Sequence, residues 1–291
     1  MDQVASSQSD KLGELIKRDT SIVRRFGLRS LLRSRSGTGD LGSFAMAQEH
    51  PAHRLLCHYK HHGVPVTLAD SPWTPAELAA AITRGPHQSA YEYQDFLRED
   101  MADMVQKEFW TVVEYDSVRD VPGLRLHPVG VVPQHARRPR PIIDYTFYGV
   151  NSSTQPNVPM DSMQFGRTFD RLIRRILLAD PAKGRVYLLK LDLSDGFYRI
   201  NVSPNDIPKL GVVMPTLPGE PPLVAFPIRL PMGWSNSPPA FSVATETVAD
   251  LANRRLLQHW QAPPHPLEHL ASSRPPTQPP LQPLGLPAHH C

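Results

Sequence analysis

Asp192 stands at the end of an apolar run, Val186 to Leu191, and a Ser194-Asp195-Gly196 turn follows it. A carboxylate delivered at the exit of a buried strand can hold a divalent cation at the rim of a sheet. Magnesium suits such a place, because it takes one or two carboxylates and completes its shell with water and substrate phosphates. An Asp that simply opens a turn is the plain alternative, so neighbouring groups decide. A loop from Pro133 to Pro141 carries His135, Arg137, Arg138 and Arg140. Arginine forks match phosphate oxygens, although a basic loop tip is also well solvated without a ligand. A third stretch, Leu230-Pro231-Met232-Gly233-Trp234-Ser235-Asn236-Ser237-Pro238-Pro239, runs into a helix. Gly233 there lets a ligand approach the backbone closely, and a helix N-terminus favours phosphate. Cys57, His58, His61 and His62 form a small cluster with zinc-ligating side chains, but no second distant ligand pair accompanies it.

Those groups need elements to place them. Gly184 breaks the chain ahead of the Val186–Leu191 run, which reads as a buried strand. Further strands are expected near Tyr198–Val202, Leu210–Met214 and Leu223–Ile228. Val129–Val132 and Ile142–Tyr145 flank the arginine loop as a hairpin. Residues 91–110 read as an amphipathic helix, with Leu97, Met101, Met104, Val105 and Phe109 spaced by three and four. Residues 162–179 read as another, with Phe165, Phe169, Leu172, Ile173 and Ile176 on one face and Arg167, Arg171, Arg174 and Arg175 mostly on the other. Asp180-Pro181 ends it. A helix from about Ala240 to Gln258 buries Phe241, Ala244, Val248, Leu251 and Ala252, with Ser237 as its cap. Thr74 is an N-cap, with Pro75 at the first helical position.

The chain has 291 residues, 40% of them hydrophobic and 20% charged, enough for one large or two modest domains. Pro outnumbers Gly, 32 to 17, and nine prolines crowd the stretch after Trp260. Residues 259–291 are therefore expected to be a disordered linker. Residues 1–48 carry a basic stretch from Lys17 to Arg35 and read as a disordered tail, with 49–90 as an extension and 91–258 as the folded body. The net charge of +3 permits a nucleic-acid partner without requiring one. With only Cys57 and Cys291 there is no disulfide framework. No run is long enough to span a membrane and no signal-peptide hydrophobic region opens the chain. Cytoplasm or nucleus, with no membrane partner, is the expectation.

Taken in order, the segments resemble a reverse transcriptase of the long-terminal-repeat, gypsy-like retroelement kind. Arg140-Pro141-Ile142-Ile143-Asp144-Tyr145, followed by Asn151, resembles the fingers segment of that family. Lys190-Leu191-Asp192-Leu193-Ser194-Asp195-Gly196-Phe197 resembles its first palm motif, and Leu230 to Pro238, then Phe241, its loop and helix beside the templating base. The resemblance covers about residues 90–258. It implies an α+β fold, the fingers and partial palm of a right-hand polymerase, with an antiparallel sheet packed on helices. It implies RNA-templated deoxynucleotidyl transfer with magnesium, on an RNA or DNA primer-template and deoxynucleoside triphosphates. Asp192 would be the catalytic metal ligand, assisted by the carbonyl of Leu193. Phe197 would be the steric gate against a ribose hydroxyl. Arg140 would clamp the triphosphate, Asp195 and Gly196 would offer it backbone N–H groups, and Met232 and Gly233 would pack near the incoming base.

Two departures modify what is implied. A lysine usual ahead of the fingers arginine is missing between Gln134 and Arg138. The family's next palm motif carries adjacent aspartates on a hairpin, whereas these residues contain no Asp-Asp pair and no Asp after Asp250. The chain stops in the Pro-rich stretch about where that motif should begin. The expectation is thus a reverse transcriptase fragment that does not polymerise alone. The alternative is a non-catalytic nucleic-acid-binding or interaction protein, or a gene remnant, that keeps half a polymerase fold.

Overall fold

In the computed structural model of the protein, residues 2–37, 48–158, 163, 165–188 and 192–257 are described. The described residues form an α+β fold. Nine helices are α1 (Asp2–Phe26), α2 (Leu28–Ser36), α3 (His53–His62), α4 (Pro75–Arg84), α5 (Gln88–Glu92), α6 (Gln94–Gln106), α7 (Val150–Ser153), α8 (Phe165–Leu177) and α9 (Ser237–Leu257). Five strands are β1 (Trp110–Glu114), β2 (Leu126–Gln134), β3 (Arg137–Ile143), β4 (Gly211–Met214) and β5 (Leu223–Pro227), in the spatial order β1-β5-β4-β2-β3.

β4 and β5 are short apolar runs buried on both faces, the pattern of strands with no solvent side, whereas β3 at the sheet edge is largely exposed. Because successive side chains alternate, β1, β2, β4 and β5 each feed two cores. Val113, Val213, Val224 and Phe226 join one core with Leu31 and Leu32 of α2, Leu56 of α3 and Leu78 of α4. Val112, Val212, Met214 and Ala225 join the other with Leu12 and Ile16 of α1 and Leu97, Met101 and Val105 of α6. The sheet was expected to be antiparallel, and it is mixed. β1 pairs with β5, β5 with β4 and β2 with β3 in antiparallel fashion, but β2 lies parallel to β4, with Leu126 opposite Gly211. A crossover from β3 to β4, longer than any hairpin turn, makes that parallel pairing accessible.

The hairpin at the arginines forms as expected, with Val129 opposite Ile143 and Val132 opposite Arg140. It extends further than expected, so Arg137, Arg138 and Arg140 lie on β3 itself and not in a long loop. The Thr74 cap also forms. Thr74 N–H donates to Glu77 Oε2 at 2.6 Å, and Glu77 N–H donates to Thr74 Oγ1 at 3.3 Å.

Three further expectations are corrected. The N-terminal stretch was read as a disordered tail, yet residues 11–37 are helical and Leu12, Ile16, Val23, Leu28, Leu31 and Leu32 are buried. The physical reason is an ion pair inside the packing. Asp19 is 0% exposed, sits on the apolar stripe of α1, and is held by Arg35 of α2 at 2.6 Å and by Thr111 Oγ1 of β1 at 2.7 Å. Arg24 pairs with Glu114 at the surface, so part of the basic stretch is engaged by the chain's own carboxylates. The central strand is the second correction. Val186, Tyr187 and Leu188 belong to no strand and are exposed, while Leu189, Lys190 and Leu191 lie outside the described residues. A strand needs a neighbour to pair its backbone groups, and no described strand pairs with residues 186–188. The expected strand over Tyr198–Val202 is likewise a 3-10 turn, Gly196–Arg199, followed by isolated bridges from Asn201 to Arg229 and from Val202 to Val64. The expected linker over 259–291 lies outside the described residues. No helix among the described residues is long and apolar enough to cross a membrane.

Candidate functional site

A cleft of about 500 Å³ opens where three separate segments meet, and Asp192, Leu193, Asp195, Gly196 and Phe197 line one wall of it. Met232 and Phe241 line another, and Tyr198 is also part of the lining.

The Asp192 wall is a tight turn. Asp195 takes a left-handed conformation, φ 54°, which Asp tolerates better than most residues. It thereby starts the 3-10 turn, and Arg199 Nε donates back to the carbonyl of Ser194 at 3.2 Å. The turn presents Asp192 and Asp195 exposed to solvent. Phe197 is half-buried and meets Phe241 of α9 edge to face, with ring centroids 5.3 Å apart at 78°. Gly196 makes that approach feasible, because a Cβ there would lie 2.9 Å from Phe241 Cζ. Tyr198 is buried and stacked on Phe109 at 4.8 Å and 14°, and burial raises its hydroxyl pKa.

The opposite wall is a pinned loop. Ser237 Oγ donates to the carbonyl of Pro231 at 2.6 Å. Asn151 Nδ2 donates to the carbonyl of Gly233 at 2.9 Å, and Ser235 N–H donates to Asn151 Oδ1 at 2.9 Å. Trp234 is buried with its Nε1 donating to Thr154 Oγ1 at 3.1 Å. Gly233 has φ 96° and packs so closely on β3 that a Cβ would lie 2.6 Å from the carbonyl oxygen of Ile143. The segment after β3 thus holds the loop in place. Arg140 on β3 reaches the same wall, with Nη2 3.2 Å from Met232 Sδ.

Of the residues singled out from sequence, Asp192, Leu193, Asp195, Gly196, Phe197 and Met232 come together around the cleft. Arg140 joins them through Met232. Gly233 does not line the cleft and serves the loop's packing against β3. The other arginines of the hairpin are differently placed. Arg138 pairs with Asp100 of α6 at 3.3 Å and lies over the Phe96 ring at 5.1 Å. Burial raises the Asp100 carboxyl pKa, and the Arg138 charge works against that rise. Nearby, Lys107 pairs with Asp103 at 2.9 Å; that bond raises its pKa, and the charges of Asp195 and Asp100 add to the effect. Lys107 was not singled out from sequence, and its only signal there is its place at the end of an amphipathic helix. Tyr198 had been read as the start of a strand, and Phe241 as a buried helix residue that follows the motif loop, without a site role of its own.

Cation chemistry is limited by the donor set. Asp192 and Asp195 are the carboxylates of the cleft lining. Among the described residues no group of three or more His, Cys, Asp or Glu side chains could hold a metal ion. Two exposed carboxylates fit one magnesium ion delivered with nucleotide phosphates. They do not fit a self-sufficient two-ion centre, which needs more carboxylate. At the cysteine–histidine cluster, Cys57 Sγ lies 3.5 Å from His53 Nε2, and no metal-binding group is completed there among the described residues.

No protein-family model matches this chain, and no curated protein matches it.

Proposed function

We propose that the chain is the fingers and first part of the palm of a gypsy-like retroelement reverse transcriptase, and that by itself it binds substrates without polymerising them. One observation carries this reading. Residues of two motifs, Asp192 to Phe197 and Met232, line one cleft, and Arg140 of the third, 92 positions before Met232, touches that residue at 3.2 Å. A chance string of motif-like letters gives no reason for that convergence.

In this reading the cleft takes a deoxynucleoside triphosphate. Magnesium bound to the nucleotide supplies charge neutralisation, and Asp192 and Asp195 hold the ion at the cleft rim. Arg140 engages phosphate oxygens, its fork suited to them. The Phe197 ring, braced by Phe241, lies under the sugar and excludes a 2′-hydroxyl. Polymerisation does not follow, because two cleft carboxylates give too little charge to stabilise transfer, and such electrostatic stabilisation is usually the largest catalytic term.

A second reading rests on the hairpin tip, where His135 and Arg137 are exposed. The chain would then bind nucleic-acid phosphate through β3 and leave the cleft empty. Primer-extension with magnesium and deoxynucleotides, run beside filter binding of the same primer-template, separates the cases. We expect salt-sensitive binding and no extension. Extension that Asp192→Asn abolishes would overturn the claim of inactivity. Template binding with no nucleotide binding at all would favour the second reading.

A further inference from the structure

We propose that α8 is a docking helix for an anionic lipid surface. The inference is independent of the cleft and of the function proposed for it.

None of the other described elements packs extensively against α8. Four of its apolar side chains face water. Phe169 is 69% exposed and Leu177 77%, and Leu172 and Ile173 are exposed beside them. These four recur at spacings of three, one and four, which gathers them on one side of a helix. Arg174 is exposed and lies on the opposite side, where the sequence also places Arg167 and Arg171. Beyond the helix end Leu178, Val186 and Tyr187 are exposed as well, and Arg185 precedes Val186 in the sequence. An uncovered patch of this kind marks an interaction site.

The charge selects the occupant. Nucleic acid would satisfy the arginines and leave Phe169 and Leu177 in water. A second copy would cover the apolar side but bring two arginine-rich helices together. An anionic bilayer surface satisfies both sides at once: the apolar side enters the acyl boundary, and the arginines meet headgroup phosphates. Tyr187, 79% exposed, is amphipathic and suited to that boundary. The expectation of no membrane partner rested on spanning length, and a helix lying in the interface does not span.

Co-sedimentation of the full chain with phosphatidylcholine vesicles, with and without about 30% phosphatidylserine, tests the proposal. We expect binding to the anionic vesicles at least roughly tenfold stronger than to neutral ones, and weaker at high salt. Phe169→Asp with Leu177→Asp should abolish it, and Arg174→Glu with Arg175→Glu should reduce it, both with unchanged thermal melting because α8 is not packed in either core. Deoxynucleotide binding should be unaffected by either pair, so failure here and failure of the cleft reading are distinguishable. Equal binding to neutral vesicles, unchanged binding by the aspartate pair, or concentration-dependent dimerisation that the aspartate pair removes would each overturn it. So would a nucleic-acid affinity lost with Arg174 and Arg175 while vesicles are ignored.

Discussion

Asn151 holds the carbonyl of Gly233 at 2.9 Å, and this one side chain ties the segment after β3 to the loop that forms a wall of the cleft. Its Oδ1 accepts from the Ser235 N–H as well, so the amide uses both ends on the same loop. Asn151→Ala should remove both bonds and destabilise the chain by about 1–3 kcal/mol. Nucleotide affinity should fall with it, since Met232 loses its placement. Urea denaturation and nucleotide titration of the variant measure the two effects. Asn151→Asp should keep the bond from Ser235 and lose the one to Gly233, giving a smaller loss of stability.

Gly196 and Phe241 are matched by shape. A methyl group at Gly196 would sit 2.9 Å from Phe241 Cζ. We predict that Gly196→Ala destabilises by about 1–3 kcal/mol through overpacking. Phe241→Leu in the same chain should recover part of that loss. A double-mutant cycle by chemical denaturation reads the coupling, and strict additivity would rule out the contact.

The Asp19–Arg35 pair predicts that the N-terminal helices belong to the fold. Arg35→Ala leaves a carboxylate that is 0% exposed without its main partner, and should destabilise by about 3–5 kcal/mol. Replacing both residues by apolar side chains of similar size should come close to the original stability. A chain whose melting is insensitive to Arg35→Ala would restore the picture of a solvated basic tail.

His127 gives the pH dependence a named source. It is 0% exposed, among Trp73, Tyr145 and Tyr148, and both ring nitrogens lack a hydrogen bond among the described residues. Burial pushes its pKa down to about 3, with the Lys209 main chain and Asp144 opposing that and Arg125 reinforcing it. The unfolded chain takes up this proton near pH 6.5 and the folded one only near pH 3. Stability is therefore full above pH 6.5 and lost as pH falls toward 3, by about 2 kcal/mol at pH 5. His127→Phe should remove that part of the slope. Denaturation at pH 5 and pH 7 of both proteins tests it, and an unchanged slope would contradict it.

The sheet was largely readable because its strands announce themselves. Val212-Val213-Met214 and Leu223 to Phe226 are short, unbroken apolar runs, and they are buried as such runs must be. The same rule misled at Val186–Leu188, where an apolar run has no neighbour to pair with and stays exposed. Periodicity also found α8, but a sequence pattern shows which side of a helix is apolar and not whether anything covers it. At the N-terminus, Asp19 interrupts the stripe of Leu12, Ile16 and Val23, and the approach of Arg35 from α2 helps make that position tolerable. Thr111 of β1 and Arg18 also reach that carboxylate, and partners brought by other elements leave no local trace. The cleft was half legible. Asp192 was found from its place at the end of an apolar run, and Asp195 and Phe197 only through the resemblance of their segment to a palm motif. Asn151 was noted after the fingers segment, but its grip on the loop depends on the β3 turn and could not be read from letters. Tyr198 was read as part of a strand and Phe241 as a buried residue of the helix after the motif loop; their place in the lining depends on the space beside them.

Binding of a deoxynucleoside triphosphate to the full chain, measured calorimetrically with magnesium and again with chelator, tests the central claim most directly. We predict saturable binding that requires magnesium and weakens roughly tenfold or more in Asp192→Asn, a loss of at least about 1.4 kcal/mol, with thermal melting unchanged. Equal affinity in chelator, or an Asp192→Asn protein that binds as the original does, would contradict it.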